Sequence, residues 1–298
     1  MLDVKGLCKG YRKKGEYVVR NIDIHVEKGT IHGLIGHNGS GKTTIIKCLT
    51  GIYQPDEGQV LINGEPVYDN PASKARIGYV ADSNQMFGGY RVLELVKLYQ
   101  GLYEDFSVSD FDSLNQIFQV NTKKRINHLS KGQQMRVSFM LNMARNPEVL
   151  ILDEPTSGLD AMAKRDLLDT LVTAVENNEL TVLISSHHLE ELEKICDSVS
   201  MLKDGEIYLQ DGLDEVTGQI VKYQVVFPEG APKELYHRKD VCHMSNVGSV
   251  YTVVLAKETE HFAEEMKSAG AVLVEQMPVG LEESFIYMNK NMGGKADE

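Results

Sequence analysis

The stretch Gly36-His37-Asn38-Gly39-Ser40-Gly41-Lys42-Thr43-Thr44 constrains this chain more than any other. It fits the pattern G-x-x-x-x-G-K-[ST] at every fixed position, and its flanks supply the context that pattern needs. Before it, Ile31-His32-Gly33-Leu34-Ile35 reads as a short buried strand, apolar apart from His32. After it, Thr44-Ile45-Ile46-Lys47-Cys48-Leu49 reads as the first turns of a helix. Glycines at 36, 39 and 41 let backbone N–H groups converge on an anion, and the helix start adds free donors and its dipole. Lys42 is placed to neutralise β- and γ-phosphates, and the Thr43 hydroxyl to ligate Mg²⁺. The implied ligand is a nucleoside triphosphate.

Charge narrows the partners. Forty-three acidic against 31 basic residues give a net charge of −12. A general nucleic-acid binder needs a basic face to neutralise phosphates, so no nucleic acid is expected. The densest basic run, Lys123-Lys124-Arg125, reads as a solvated loop. Cys8, Cys48, Cys196 and Cys242 form no C-x-x-C pair, which points to reduced thiols in a cytosolic setting. Met1–Gly6 lacks the apolar core of a signal peptide, and no run approaches the ~20 apolar residues that span a bilayer. Work at a membrane would therefore need spanning helices from another chain.

With 298 residues, 42% of them apolar, there is room for one large domain and a smaller one. Residues 1–30 alternate like a small antiparallel sheet, with a turn at Lys13-Lys14-Gly15, and Tyr11 falls where a ring could approach the loop. Asn63-Gly64 is a hairpin turn, and Ile77–Ala81 a strand ending at Asp82. Beyond Gly88-Gly89 the pattern turns helical, then Leu129-Ser130-Lys131-Gly132-Gln133 opens another helix, a second anion-facing helix start. Val149-Leu150-Ile151-Leu152 is a central parallel strand ending in Asp153-Glu154. Two carboxylates there are costly to desolvate unless a cation or proton chemistry uses them. Asp153 can help hold Mg²⁺, and Glu154 can act as base or orienter for attacking water.

After Pro155–Asp160 comes a helix with an expected inner stripe of Leu168, Leu171, Val172 and Val175. Strand Thr181–Ile184 leads to Ser185-Ser186-His187-His188 and a helix containing Leu189, Leu192 and Ile195. His187 can reach a γ-phosphate, and His188 reads as its surface neighbour. Asp204-Gly205 joins two strands, and the core domain is expected to end near Gly218. Residues 219–298 read as a small accessory α+β domain without a catalytic cluster, closing in a helix at Leu281–Asn289.

Together these motifs resemble the nucleotide-binding subunit of an ABC transporter, over about residues 1–217 and in the family's order. The resemblance implies a P-loop α/β cassette over 1–218, with a mainly parallel core sheet, an antiparallel β subdomain and a helical subdomain at about 83–146. It makes Tyr11 the adenine-stacking aromatic and Gly36–Thr44 the Walker A loop. Leu129–Gln133 becomes the signature, in which Ser130, Gly132 and Gln133 contact nucleotide. Val149–Asp153 becomes Walker B, Glu154 the catalytic glutamate, Ser157–Asp160 the D-loop with Asp160 near nucleotide, and His187 the switch histidine. Two cassettes, identical or different, would pack head to tail with ATP and Mg²⁺ between them, on a separate permease at the cytoplasmic face of the membrane.

Two positions depart from the family pattern. Asp82 stands where the Q-loop glutamine is expected, so either Asp82, reaching the metal, or Gln85 serves there. Lys131 replaces the first glycine of the signature. The single cassette, the acidic Q-loop residue and the C-terminal appendix look most like bacterial ABC-2-type exporters of the bacitracin-resistance and YtrB-like kind. That resemblance implies an ATP-driven exporter of drugs, peptides or lipid-like molecules. The alternative is a soluble ABC-type ATPase acting as a mechanical switch in a non-transport complex. About 110 residues separate Lys42 from Asp153, too few for the long coiled coil of repair members.

Overall fold

The computed structural model describes residues 1–11, 16–82, 88–178, 180–256 and 261–292, and its contacts divide into two compact units. The expected Lys13-Lys14-Gly15 turn lies outside the described residues. Met1–His188 with Ile195–Gln210 form the first unit; Leu189–Lys194 with Asp211–Glu298 form the second.

The first unit opens with β1 (Leu2–Gly10) and β2 (Tyr17–Val26), paired antiparallel with Leu2 opposite Val26. Val19, Ile22, Ile24 and Val26 of β2 point inward. The alternation slips at Asn21, whose φ of 44° accompanies a shift in the pairing register. Then come β3 (Ile31–Gly36), α1 (Lys42–Leu49), β4 (Glu57–Ile62) and β5 (Glu65–Pro66). Asn63 and Gly64 both take positive φ, the geometry of a two-residue hairpin turn, and place Ile62 opposite Glu65. The antiparallel sheet runs β2-β1-β4-β5.

Next are α2 (Pro71–Ala75), β6 (Ile77–Val80), α3 (Val92–Leu102), α4 (Val108–Phe118) and α5 (Lys131–Met143). They lead into β7 (Val149–Asp153), α6 (Ala161–Asn178), β8 (Thr181–Ser186) and the short α7 (Leu189–Leu192) of the second unit. The expected helix through Ile195 thus stops at Leu192, and the buried stripe of α6 also differs from expectation. Leu167, Leu168, Leu171 and Ala174 are buried, whereas Val172 and Val175 are half-buried on its shoulder. With β9 (Ser198–Lys203) and β10 (Glu206–Gly212) the core sheet runs β10-β9-β3-β8-β7-β6. Strands β9, β3, β8, β7 and β6 are parallel.

Strands β3, β7 and β8 are buried at every residue, which is why they read as unbroken runs rather than alternations. His32 is the polar exception in β3. Its Nδ1 lies 2.8 Å from Ser198 Oγ and its Nε2 2.8 Å from Ser200 Oγ, while Ser200 Oγ donates to Gln210 Oε1. Ser200 therefore accepts from Nε2–H, and the ring is neutral. Burial, and to a smaller degree the charge of His25, push the His32 pKa down to about 4.

The second unit continues with α8 (Leu213–Thr217), β11 (Val221–Val226), β12 (Val241–Val247), β13 (Val250–Leu255), α9 (Phe262–Ser268), β14 (Leu273–Met277) and α10 (Leu281–Met292). Its antiparallel sheet runs β12-β13-β11-β14 over a core including Tyr223, Val225, Phe227, Val253 and Phe262. Lys222 Nζ pairs with Glu283 at 2.7 Å, tying α10 to β11.

Candidate functional site

The C-terminal ends of β3, β7 and β8 lie side by side, the place where open parallel sheets hold ligands. From β3 the chain turns through the glycine-rich loop into α1. Gly41 caps that helix at φ +114°, a conformation costly for any residue with a side chain, and a Cβ there would lie 2.4 Å from Val19 Cγ1. Among the described residues no side chain caps α1. Lys42 is only 6% exposed, and its Nζ donates to Gly36 O at 2.7 Å and to His37 O at 3.4 Å. Within the same loop His37, Asn38 and Gly39 are exposed, and Ser40 Oγ is buried with no hydrogen-bond partner among the described residues. Such an orphaned hydroxyl, beside a buried ammonium and an uncapped helix start, fits a polyphosphate.

β7 delivers the carboxylates. Asp153 is buried; it accepts hydrogen bonds from Thr43 Oγ1 at 3.1 Å and from Ser185 Oγ at 2.8 Å. Burial raises its pKa, the two hydroxyl hydrogen bonds oppose that rise, and the charges of Glu154 and Asp82 add to it. A desolvated carboxylate beside a threonine hydroxyl is a hard-oxygen donor set that fits Mg²⁺.

Glu154 sits just past the strand at φ +49°, in the left-handed region. That conformation costs on the order of 1–3 kcal/mol and needs support from its surroundings. Its N–H donates to both the Ser185 carbonyl and the Ser185 hydroxyl, each at 3.1 Å. The turn aims the Glu154 carboxylate between two cations or donors: Oε1 is 3.4 Å from Lys42 Nζ, and Oε2 2.7 Å from His187 Nδ1. His187 stacks on His188 with ring centroids 4.1 Å apart. The arrangement can fix a carboxylate toward a water beside a phosphate.

The remaining expected residues lie around this centre. Tyr11 is half-exposed; its hydroxyl is 2.8 Å from Thr44 Oγ1, and its ring meets Tyr53 edge-on at 5.7 Å. Ser130 and Gln133 close a reciprocal capping box on α5, each bond 3.2 Å. Gly132 is buried against the turn after β7, where a Cβ would lie 3.0 Å from Gly158 O. Asp160 caps α6 by accepting from Ala163 N at 2.9 Å, which holds its carboxyl below the usual range, and it pairs with Arg136 at 3.1 Å. Asp82 lines a cavity with Thr43 and Asp153, and its carboxylate pairs with Lys131 at 3.1 Å. Gln85, the other Q-loop choice, lies outside the described residues.

Sequence reasoning missed Ser185. It binds Asp153 and Glu154 at once, and its only trace in the sequence was a serine at the end of an apolar strand. Arg136, the partner of Asp160, was missed as well.

Comparison with known proteins identifies the family. The ABC transporter family model matches residues 19–157. The ABC transporter ATP-binding protein YtrB of Bacillus subtilis is 30% identical over 295 residues, 99% of each chain. The methionine import ATP-binding protein MetN of Protochlamydia amoebophila is 30% identical over 72% of this chain and 67% of its own length. Among solved structures, an ATP-binding subunit of an ABC transporter superposes with a TM-score of 0.67 at 28% identity, covering 72% of this chain and 91% of that one. CbiO1 of Clostridium perfringens, described as part of an ABC transporter complex, gives 0.61 at 29% identity over 72% and 89%. With a family model matched across the glycine-rich loop and both carboxylates, and a relative alike along the whole chain, this protein belongs to the ABC transporter family of ATP-binding subunits.

Proposed function

We propose that this chain hydrolyses ATP to drive substrate movement through a separate membrane permease, in the export direction. One observation carries the catalytic reading: at adjoining strand ends Lys42, Glu154 and His187 are joined by contacts of 3.4 Å or less, Thr43 meets Asp153 at 3.1 Å, and the Ser185 hydroxyl links the two groups. Lys42 and the loop N–H groups would bind the β- and γ-phosphates. Thr43 and Asp153 would hold Mg²⁺, which supplies charge neutralisation to phosphoryl transfer when bound. Glu154, steadied by His187 and released from Lys42 by the phosphates, would orient the attacking water. Catalysis is then positioning and electrostatics rather than covalent chemistry.

Ser130, Gly132 and Gln133 would complete the site of a second cassette, and Tyr11 would carry the adenine. ATP favouring the closed pair and ADP the open one would convert hydrolysis into motion of the permease. Similarity to YtrB along the full chain, against the cassette-length match to MetN, supports a role for residues 219–298 as an accessory domain. No helix among the described residues is long and apolar enough to cross a membrane, so the permease would be another chain, with this one peripheral on its cytoplasmic face. Affinity capture from detergent-solubilised membranes tests this: a polytopic membrane protein should copurify and alter the ATPase rate. Capture of only soluble complexes would favour the non-transport switch.

A further inference from the structure

Lys131 and Asp82 are 49 positions apart, yet their side chains meet, Nζ to Oδ1, at 3.1 Å. The pair joins two working ends of the first unit. Asp82 follows β6 and shares with Thr43 and Asp153 the lining of a cavity of about 470 Å³. Lys131 is the first residue of α5, between the capping Ser130 and the buried Gly132. Asp82 is also felt by Asp153, as one of the negative charges that add to the effect of burial there. Its carboxylate therefore has two cationic choices: the Lys131 ammonium, or a cation at Thr43 and Asp153. With side chains 56% and 49% exposed, the pair is of the weak, exchangeable kind. Glycine at 131 could not make it, and the glutamine of the family pattern at 82 would carry no charge to exchange.

We propose that Lys131 is a positioning residue for the metal–nucleotide site: it holds the Asp82 carboxylate off the Thr43–Asp153 corner and yields it when a divalent cation enters with nucleotide. This rests on the reading above that the cation binds at that corner. Loading of the cavity would then free the Lys131 ammonium at the exposed start of α5, so that one residue reports metal occupancy to the surface expected to meet a second cassette.

The test uses the full-length protein and ADP, which avoids turnover, with affinity measured in magnesium and in EDTA. The quantity read is the gain in affinity that magnesium gives. Lys131→Gln should raise that gain about threefold, the scale of an exposed ion pair, while Lys131→Arg keeps the wild-type value. Asp82→Asn should lower the gain, and adding Lys131→Gln to it should then do nothing. A gain unchanged by Lys131→Gln, or raised equally with Asp82 already neutral, would overturn the inference alone. A wild-type affinity for ADP that ignores magnesium would overturn the metal reading at this corner and the inference with it.

Discussion

The starts of α1 and α5 both face phosphate in the proposed reading, but they are built in opposite ways. α1 begins at a left-handed glycine with no side-chain cap, and its first residue, Lys42, is buried in the loop. α5 begins at a serine whose capping box with Gln133 satisfies donors within the helix itself, and its first residue, Lys131, is half-exposed and paired to Asp82. An uncapped helix start keeps its N–H donors for a ligand, whereas a self-capped one is stable without it. The first is a receptor completed by its own sheet. The second is a finished surface feature suited to a ligand that another cassette brings.

The scaffold under α1 should show the largest effect. Strand β3 carries the loop and contains His32, buried neutral with a pKa of about 4. The unfolded chain protonates this histidine near pH 6.5 while the folded one resists, so stability is full above about 6.5 and falls as pH drops toward 4. The loss is about 3 kcal/mol. Denaturant midpoints at pH 7 and pH 4.5 should show it, and His32→Gln, which cannot titrate, should flatten that part of the slope. An unchanged slope in the variant would remove His32 from the account.

Close behind it, Glu154→Gln should keep ATP binding and cut turnover by at least ~100-fold, about 2.7 kcal/mol of barrier. The closed dimer should accumulate with ATP, as sedimentation would show. Near-normal hydrolysis would take Glu154 out of its assigned role. Gly41→Ala should cost about 2 kcal/mol through backbone strain and the clash with Val19, and weaken nucleotide binding with it. Thermal melting and ADP titration measure both parts; a neutral result would mean the α1 start does not need its left-handed cap. The smallest effect belongs to the other helix. Ser130→Ala should cost about 1 kcal/mol by opening the capping box, without altering ADP affinity of the single chain. A loss of ADP affinity there would erase the contrast between the two starts.

What the sequence disclosed follows the same contrast. The loop, β3, β7 and β8 were legible because double-sided burial forces continuous apolar runs and the glycine spacing is fixed by the phosphate-binding turn. Glu154 and His187 were legible from their place just beyond those runs, but Ser185, which holds the Asp153 carboxylate and the Glu154 backbone N–H, leaves no periodic signal. The Asp82–Lys131 pair depends on tertiary proximity of two residues that each looked like an isolated departure. In the second unit, strand β12 went unread because Val241-Cys242-His243-Met244-Ser245-Asn246-Val247 is an edge strand whose residues are all half-buried or exposed, with no buried alternation. The shoulder positions Val172 and Val175 were read as core because apolar residues at helical spacing do not reveal how wide a face is covered.

The most direct test of the divided site is complementation between two inactive chains. Lys42→Ala disables the α1 receptor, and Ser130→Arg blocks the α5 surface. Each variant alone lacks any intact composite site. Mixed at equal concentration, they should recover ATPase activity, because each heterodimer regains one site made from the unmutated halves. The wild-type specific rate should also rise with protein concentration in the micromolar range. No recovery on mixing, together with a wild-type rate independent of concentration down to isolated single chains, would contradict the account.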